Sequence, residues 1–395
     1  MGVLDELIDK DNISPLEIAR HTNLSPATVS RILGQLQEKN LIKNMGKEET
    51  SKGRKPSLFR FNSNYGLLLH YFITYRKVTG YLINLGGEVL DRCEMFYDLN
   101  STLEDLLSII SNIYNELKKN KLLKVSRVLA AGFAIPGVID KKTRKVFKIP
   151  DVLSLDETNL FDYAEKLLGV PVIVNNDARM AALGEKDVNY NFVENLVYLD
   201  ITNHIGIGMG IIIGNNLVKG CNNLAGEIGQ SYFDPYCSMA DYLHGKGQLE
   251  SEAGLSTMFA RVENKLKNGG AKILARMLEG KQSLHFSVEL IEEAVRQGDA
   301  DVFEEFERTL KAWSIMIINI NLYLNPDFII LGGSISNKNS LIYEFLNGMF
   351  SHLGIFTPQL RLSVLGDDAQ LFGGIHVLKQ YVCNSTILAE AKNMN

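Results

Sequence analysis

The sequence predicts a small, mainly helical N-terminal domain followed by a large α/β domain. Two helix-start signals, Ser14-Pro15 and Ser25-Pro26, lie close together near the N-terminus. A basic, glycine-containing segment follows them, and from about Tyr65 strand-like and helix-like stretches alternate, punctuated by glycines. A chain of 395 residues is long enough for two or three domains, each with its own apolar core.

Composition is that of an ordinary globular protein, with 46% hydrophobic and 22% charged residues. No apolar run is long enough to span a bilayer, and the acidic N-terminus lacks the basic-then-apolar order of a secretory signal. The four cysteines are too far apart for a zinc or redox motif; they are Cys93, Cys221, Cys237 and Cys383. We therefore expect a cytoplasmic protein with reduced cysteines and no membrane partner.

Charge is distributed unevenly along the chain. The whole chain has a formal net charge of −5, but the segment from Arg20 to Arg60 holds nine lysines and arginines and only three glutamates, a local net charge of +6. A basic module of this size in an acidic chain is typical of a nucleic-acid-binding domain.

The first helix is predicted to begin at Ser14, because Ser14-Pro15-Leu16-Glu17 is a capping box with proline at the first helical position. It should run to about His21 and end at Thr22-Asn23-Leu24. The second helix starts after Ser25 with the same signal. Two helices joined by so short a turn must cross steeply, as in a helix-turn-helix.

The second helix has one apolar face, formed by Val29, Ile32, Leu33 and Leu36 at helical spacing. The residues left to face outward are small or able to form hydrogen bonds, as expected of a recognition helix in a DNA major groove. The candidate DNA-contacting residues of this helix are Ser25, Ala27, Thr28, Ser30, Arg31 and Gln35.

A basic hairpin is predicted after the second helix. Leu41-Ile42 and Leu58 to Phe61 look like short strands that bracket a turn suited to phosphates or a minor groove. The candidate DNA-contacting residues of this turn are Lys52, Gly53, Arg54 and Lys55. Together these features predict a winged helix-turn-helix that binds double-stranded operator DNA; the alternative is a solvated helical domain without that role.

The rest of the chain shows strand-like runs typical of an α/β fold. These runs are Leu67–Thr74, Thr79–Asn84, Val128–Ala134, Val172–Val174, Leu196–Ile201 and Phe328–Leu331. Five further segments stand out for their glycines, asparagines and acids: Ile135 to Asp140, Asn176 to Glu185, Gly206 to Gly210, Ala225 to Gly229 and Asn325 to Gly333.

In order and spacing these segments resemble the signatures of the ROK family of repressors and sugar kinases, and the N-terminal module resembles that of the xylose and N-acetylglucosamine repressor type. The resemblance implies an actin-like, hexokinase-type domain of two lobes, with a monosaccharide bound between them and a homodimer or tetramer as the assembly. We expect a winged helix-turn-helix over residues 1–62, a small lobe over 63–190 to which a C-terminal helix (370–395) returns, and a large lobe over 191–369.

The resemblance also points to a lost activity. Family kinases hold ATP with a first phosphate loop of an acid, two glycines and a threonine, and the corresponding positions here are Phe72, Thr74, Tyr75 and Arg76. Asp177 stands where those kinases keep their general base. We predict no kinase activity, no catalytic residues and no cofactor. Asp177 is instead predicted to accept a hydrogen bond from a sugar hydroxyl.

Sugar hydroxyls both donate and accept hydrogen bonds, so a sugar pocket needs carboxylates and amides. The positions that match sugar-contacting positions of the family are Gly137, Asn176, Asp177, Glu227, Gln230 and Glu250. Glu250 rests on the weakest motif context of these.

Family members normally bind a structural zinc through one histidine and three cysteines. The matching positions here hold other residues, namely Gln230, Asp241, Leu243 and Gln248, and we predict no metal.

Three functions remain open from the sequence. The first is a repressor whose operator affinity changes when the ROK domain binds a monosaccharide. The second is an atypical sugar kinase with an appended DNA-binding domain, favoured by Asp177. The third is a repressor that has lost sugar control, which the altered segment from Glu227 to Gln230 permits.

Overall fold

The computed structural model describes residues 3, 6–7, 12–47, 57–98, 101–124, 126–140, 142–143, 145–147, 160–204, 206–232, 247–279, 286–337 and 339–387. The N-terminal domain consists of helices α1 (Pro15–Thr22) and α2 (Pro26–Glu38) and the antiparallel strands β1 (Ile42–Lys47) and β2 (Ser57–Phe61). The helix starts predicted from the two serines are confirmed. The side chains of Ser14 and Ser25 accept hydrogen bonds from backbone N–H groups, and Ser14 and Glu17 form the predicted capping box.

The next part of the chain forms the small lobe around a five-stranded sheet. Its elements are β3 (Leu67–Thr74), β4 (Lys77–Asn84), β5 (Val89–Phe96), α3 (Leu103–Leu117), β6 (Val128–Ile135), β7 (Val138–Ile139), β8 (Val146–Phe147), α4 (Leu160–Leu168), β9 (Val172–Asn176) and α5 (Asp177–Val188). The sheet order is β5-β4-β3-β6-β9, with antiparallel pairing among β3, β4 and β5 and parallel pairing of β3 with β6 and of β6 with β9. Strands β7 and β8 form a separate short ladder.

The large lobe repeats this plan. Its elements are β10 (Leu196–Thr202), β11 (Gly206–Ile213), β12 (Asn216–Leu217), α6 (Gln248–Ala253), α7 (Leu255–Lys267), α8 (Lys272–Leu278), α9 (Val288–Arg296), α10 (Ala300–Leu324), β13 (Phe328–Gly333), α11 (Leu341–Phe350), β14 (Leu360–Leu362) and α12 (Ala369–Tyr381). The sheet order is β12-β11-β10-β13-β14. The helices α6 to α11 cover one face of this sheet, around the fully buried Trp313.

All six predicted strands are confirmed, and Leu67–Thr74 has the predicted bounds. Strand β5 is additional. It is an edge strand with mostly polar or half-exposed residues, so it lacks the apolar run that marks the buried strands. The glycine segment Gly206 to Gly210 forms the first part of strand β11. A Cβ on Gly210 would lie 2.4 Å from the Cβ of Ala182, so glycine here lets α5 pack directly on the large-lobe sheet.

Helices α5 and α12 connect the two lobes. Helix α5 follows the last strand of the small lobe and packs against β10 and β11 of the large lobe. Helix α12 packs against α5 and returns to β3 and β6 of the small lobe, and the chain continues as a short π-helical segment, Val382–Ile387. The predicted domain limits at residues 62, 190 and 369 stay a prediction.

The N-terminal domain shares one hydrophobic cluster with the small lobe and α12. Val29 and Leu33 of α2 belong to the same buried cluster as Leu68 and Ile83 of the small-lobe sheet. Helix α12 contributes Leu371, Ile375 and Leu378 to it, and the π-helical segment that follows contributes Val382. The N-terminal domain therefore shares a continuous buried core with the small lobe and the C-terminal helix.

Candidate functional site

The exposed face of α2 holds the predicted DNA-contacting residues. Ala27, Ser30 and Arg31 are exposed, whereas Thr28 and Gln35 are half-buried. The hydroxyl groups of Ser25 and Thr28 lie 2.8 Å apart, and the Ser25 hydroxyl also accepts a hydrogen bond from the backbone N–H of Thr28. Both hydroxyls thus stabilise the start of α2. Ile32, which was predicted to be buried, is half-buried.

The predicted basic turn joins β1 to β2. Its strands pair antiparallel from Ile42 opposite Phe61 to Lys47 opposite Ser57, as expected of a wing. The predicted DNA-contacting residues Lys52, Gly53, Arg54 and Lys55 lie outside the described residues.

The two lobes enclose a pocket of about 130 Å³ that collects all six residues predicted to contact sugar. They come from four separate parts of the chain: the turn after β6, the junction of β9 and α5, a short 3₁₀ turn and α6. The pocket is lined by Pro136, Gly137, Val138, Asn176, Asp177, Asp200, Thr202, Gly206, Ile207, Gly208, Glu227, Gln230 and Glu250.

Asn176 is held in place at the junction of β9 and α5. Its Oδ1 accepts a hydrogen bond from the backbone N–H of Arg179 and so caps α5, while its Nδ2 donates to the carbonyl oxygen of Gly137 at 3.3 Å. Two of the predicted residues therefore bond to each other, and the amide of Asn176 is oriented by the start of the helix.

Glu250 approaches the pocket because two glycines leave space for its carboxylate. A Cβ on Gly206, whose φ is +111°, would lie 2.6 Å from the carboxyl carbon of Glu250. A Cβ on Gly229 would lie 2.7 Å from its Oε2. Any larger residue at either position would displace Glu250 from the pocket wall.

The buried guanidinium of Arg179 holds the loop that precedes Glu227. It donates hydrogen bonds to the carbonyl oxygens of Asn223 and Ala225, the latter at 2.9 Å. Asn223 in turn donates from Nδ2 to the carbonyl oxygen of Ile139 in the small lobe, at 2.9 Å. This chain of contacts fixes the loop with Glu227 against both α5 and the small lobe.

Two buried carboxyl groups, Asp177 and Asp200, lie at the base of the pocket. Burial, and then the neighbouring charge of Asp200, raise the pKa of Asp177 well above its usual range. Burial raises the pKa of Asp200 to about 6, although Gln370 donates a hydrogen bond from Nε2 to its Oδ2 at 3.2 Å. The pair therefore resists full ionisation and can both donate and accept hydrogen bonds near neutral pH.

A second, larger cavity of about 680 Å³ lies beside this pocket in the cleft between the lobes. The two cavities share Asp177, Asp200 and Thr202. Six aromatic rings line the larger one: Phe72, Tyr75, Tyr81, Phe96, Tyr198 and His204. The ring of Tyr75, in the turn between β3 and β4, stacks on His204 of the large lobe.

Sequence reasoning missed several of these residues. Asp200 and Thr202 end a correctly predicted strand, and polar residues at the carboxyl end of a buried strand are a signal that could have identified them. Arg179 lies within a recognised segment but was given no role. Gln370 could not be found from sequence, because only the return of α12 brings it to Asp200.

The described residues contain no group of three or more His, Cys, Asp or Glu side chains that could hold a metal ion. At the zinc positions implied by the resemblance, Gln230 lines the pocket and Gln248 is buried on α6, whereas Asp241 and Leu243 lie outside the described residues. Amide side chains do not fit a thiolate zinc site. Among the described residues, no helix is long and apolar enough to cross a membrane.

A family model described as the ROK family matches residues 74–380, which is most of the chain. The chain belongs to the ROK family. A second model, described as a winged helix-turn-helix DNA-binding domain, matches residues 1–43. Both confirm the order of domains predicted from the sequence.

Relatives of this ROK protein match it over nearly their full length. It is 28% identical to a xylose repressor of Staphylococcus xylosus over 97% of this chain and 94% of that one. It is 26% identical to a xylose repressor of Bacillus subtilis, in a match that covers 94% of this chain and 92% of that repressor. It is 25% identical to an N-acetylglucosamine repressor of Escherichia coli, in a match that covers 95% of this chain and 91% of that repressor.

Solved structures confirm the fold. A ROK family transcriptional regulator, described as a homologue of the Escherichia coli Mlc protein, superposes with a TM-score of 0.75 and 24% identity over 95% of this chain and 96% of the other. A ROK family glucokinase from Streptomyces griseus superposes with a TM-score of 0.64 and 24% identity over 80% and 100%. The two-lobed, hexokinase-type architecture is therefore shown.

Proposed function

We propose that this ROK protein is a transcriptional repressor whose operator affinity changes when a monosaccharide binds between its lobes. The observation that supports it most directly is one pocket that joins six predicted sugar contacts, in a chain that also has a winged helix-turn-helix. Of the relatives that match it over nearly their full length, two are named xylose repressors and one is named an N-acetylglucosamine repressor. The effector is accordingly proposed to be a sugar, and the partner to be double-stranded operator DNA.

The pocket chemistry suits a neutral polyol. Glu227 and Glu250 supply acceptors, and the amide of Gln230 supplies a donor and an acceptor. Asp177 and Asp200 add carboxyl groups whose raised pKa lets one of them donate. Seven of the residues that line the pocket have polar side chains, so recognition depends on hydrogen bonds whose loss would be costly.

Helix α12 offers a route from the pocket to the DNA-binding domain. Gln370, at its start, donates to Asp200, while Ile375 and Leu378 further along pack in the cluster shared with α2. A sugar that changes the position or protonation of Asp200 would move the start of α12. Because packed helices shift as units, this movement would be transmitted through the shared cluster to the N-terminal domain.

Two recognition helices in successive major grooves require a homodimer. The end of α10 offers an apolar surface for it: Tyr323 is 79% exposed and Ile355 is 93% exposed, with Leu322 and Phe356 beside them. Asn321 donates to the carbonyl oxygen of Phe356, which joins the two segments into one surface. An exposed apolar surface of this kind is typical of a subunit interface.

The alternative function is an atypical sugar kinase, favoured by the raised pKa of Asp177, which suits a general base. Against it, Tyr75 and Arg76 form the turn where a phosphate loop would need glycine backbone, and Tyr75 packs on His204. A coupled assay for ADP release across glucose, xylose, N-acetylglucosamine and mannose separates the two functions. Turnover above the background of an Asp177→Asn variant would favour the kinase.

The proposal is tested by fluorescence anisotropy with a duplex from the protein's own promoter region and a shuffled duplex of equal length. We expect the promoter duplex to bind at least about a hundredfold more tightly, with affinity falling steeply as salt rises. Equal affinity for the two duplexes would contradict the proposal.

A further inference from the structure

The pocket of about 130 Å³ and the cavity of about 680 Å³ adjoin each other in the cleft. Asp177, Asp200 and Thr202 line both, so a ligand unit in the smaller pocket lies next to free space in the larger one. A single monosaccharide would occupy the smaller pocket and leave the larger one to solvent. The size of the cleft therefore suits a ligand of at least two units.

The larger cavity offers ring faces to a ligand. Phe72, Tyr81 and Phe96 come from three neighbouring strands of the small-lobe sheet, and His204 lines the cavity from the large lobe. Aromatic faces pack against apolar ring surfaces, and a pyranose presents such a surface on each side of its ring.

Charge in the larger cavity disfavours phosphates. Four carboxyl groups line it: Asp177, Asp200, Asp367 and Asp368. The cations Lys77 and Arg92 also line it, but both form ion pairs with Glu94, at 3.8 and 2.8 Å. A polyanion such as a nucleotide would meet the acids Asp367 and Asp368 and cations already paired with Glu94, so a neutral ligand is favoured.

We infer that the larger cavity is a second carbohydrate subsite, so that the monosaccharide proposed to bind between the lobes is one unit of a neutral disaccharide or longer oligosaccharide. Its first unit fills the pocket of Glu227 and Glu250, and its second unit stacks on the rings of the larger cavity. This inference rests on the proposed function, because it takes the first unit to be a sugar.

Isothermal titration calorimetry on the full chain tests it with matched pairs: glucose with gentiobiose and isomaltose, xylose with xylobiose, and N-acetylglucosamine with its β-linked dimer. Magnesium ATP is titrated separately. We expect at least one disaccharide to bind about tenfold or more tightly than its own monosaccharide, and we expect no binding of ATP.

Phe96→Ala provides the structural test, because Phe96 lies in the cavity wall and is 71% exposed, so the chain should fold without it. In the variant, most of the difference in affinity between the disaccharide and its monosaccharide should disappear, while the affinity for the monosaccharide is unchanged. Phe192→Ala is the matched control, since Phe192 is also 71% exposed but does not line the cleft.

The outcomes separate the two proposals. If a monosaccharide binds and no disaccharide binds more tightly, or if ATP binds, the second subsite is wrong while sugar sensing stands. If no carbohydrate of the panel binds, both proposals fail. An equal loss in Phe96→Ala and Phe192→Ala would also overturn the assignment of the larger cavity.

Discussion

The ring of Tyr75 stacks on the imidazole of His204 with centroids 4.1 Å apart and planes inclined by 16°. Tyr75 belongs to the turn between β3 and β4 of the small lobe, and His204 to the turn between β10 and β11 of the large lobe. The stack therefore joins the lobes at the position where the family resemblance places the phosphates of ATP. The cleft is closed there by side chains of the protein itself.

Removing the stack should loosen this contact between the lobes. We predict that Tyr75→Ala lowers the free energy of unfolding by about 1 kcal/mol, a typical value for an aromatic pair. The measurement is thermal denaturation of Tyr75→Ala, His204→Ala and the double variant. If the rings act through each other, the double variant should lose clearly less than the two single losses added together. Strictly additive losses would mean that the stack contributes nothing to stability.

Asp200→Asn should stabilise the protein at high pH. Because the folded-state pKa of Asp200 is raised to about 6, above its unfolded value, ionisation is more costly in the folded state. The cost is absent below the unfolded pKa, grows as pH rises to about 6, and is complete above it. The amide variant avoids this cost and should therefore be more stable by roughly 3 kcal/mol at pH 8.

The check is the difference in melting temperature between Asp200→Asn and the parent protein from pH 4 to pH 8. It should be near zero at pH 4 and positive at pH 8. Asp98→Asn, at an exposed carboxylate, is the control and should show no such trend. A difference that does not depend on pH would contradict the assigned cost.

Arg31→Ala should weaken operator binding. Arg31 is exposed on the outward face of α2, where a recognition helix contacts bases or phosphates. We expect a loss of about 1–3 kcal/mol in anisotropy titrations with the promoter duplex. Arg308→Ala removes the same charge from an exposed position of the large lobe and should bind DNA normally. Equal losses in the two variants would indicate a non-specific charge effect.

Gln370→Leu should weaken the effect of sugar binding on operator affinity. The change removes the hydrogen bond from α12 to Asp200 but leaves the α12 residues of the cluster shared with the N-terminal domain. Operator affinity without sugar should stay within about twofold, while the change caused by sugar, typically 1–3 kcal/mol for such coupling, should shrink by at least half. Gln297→Leu, at the exposed end of α9, is the control. Full coupling in Gln370→Leu would rule out this route.

Tyr323→Lys should break the proposed homodimer, because a lysine in the centre of an apolar interface must be buried without a partner. We expect the dimer dissociation constant to rise about a hundredfold or more in sedimentation velocity experiments. Phe192→Lys places the same charge on another exposed ring, and the dimer should survive it. An unchanged dimer dissociation constant in Tyr323→Lys would show that the interface lies elsewhere.

Much of the fold could be predicted because local signals agree with it. The capping box at Ser14, the proline after Ser25 and the buried run Leu67–Thr74 each specify their element without help from distant residues. The edge strand Val89–Phe96 was missed, since its pairing with β4 and not its own composition makes it a strand.

The candidate site could be predicted only in part. The six predicted sugar contacts lie in recognisable segments, and they meet in one pocket. The larger cavity could not be foreseen, because its walls run from Phe72 to Gln370 and only the crossing of α12 brings them together. The shared cluster of α2 and α12 has the same long-range origin.

The central claim is that one chain couples a sugar in the cleft to an operator. It is tested most directly by titrating the promoter duplex with the full chain, with and without saturating amounts of the sugars in the calorimetric panel. The account predicts that at least one sugar changes the operator dissociation constant by about fivefold or more, while binding to shuffled DNA stays constant. A sugar that binds the protein and leaves the operator affinity unchanged would contradict it.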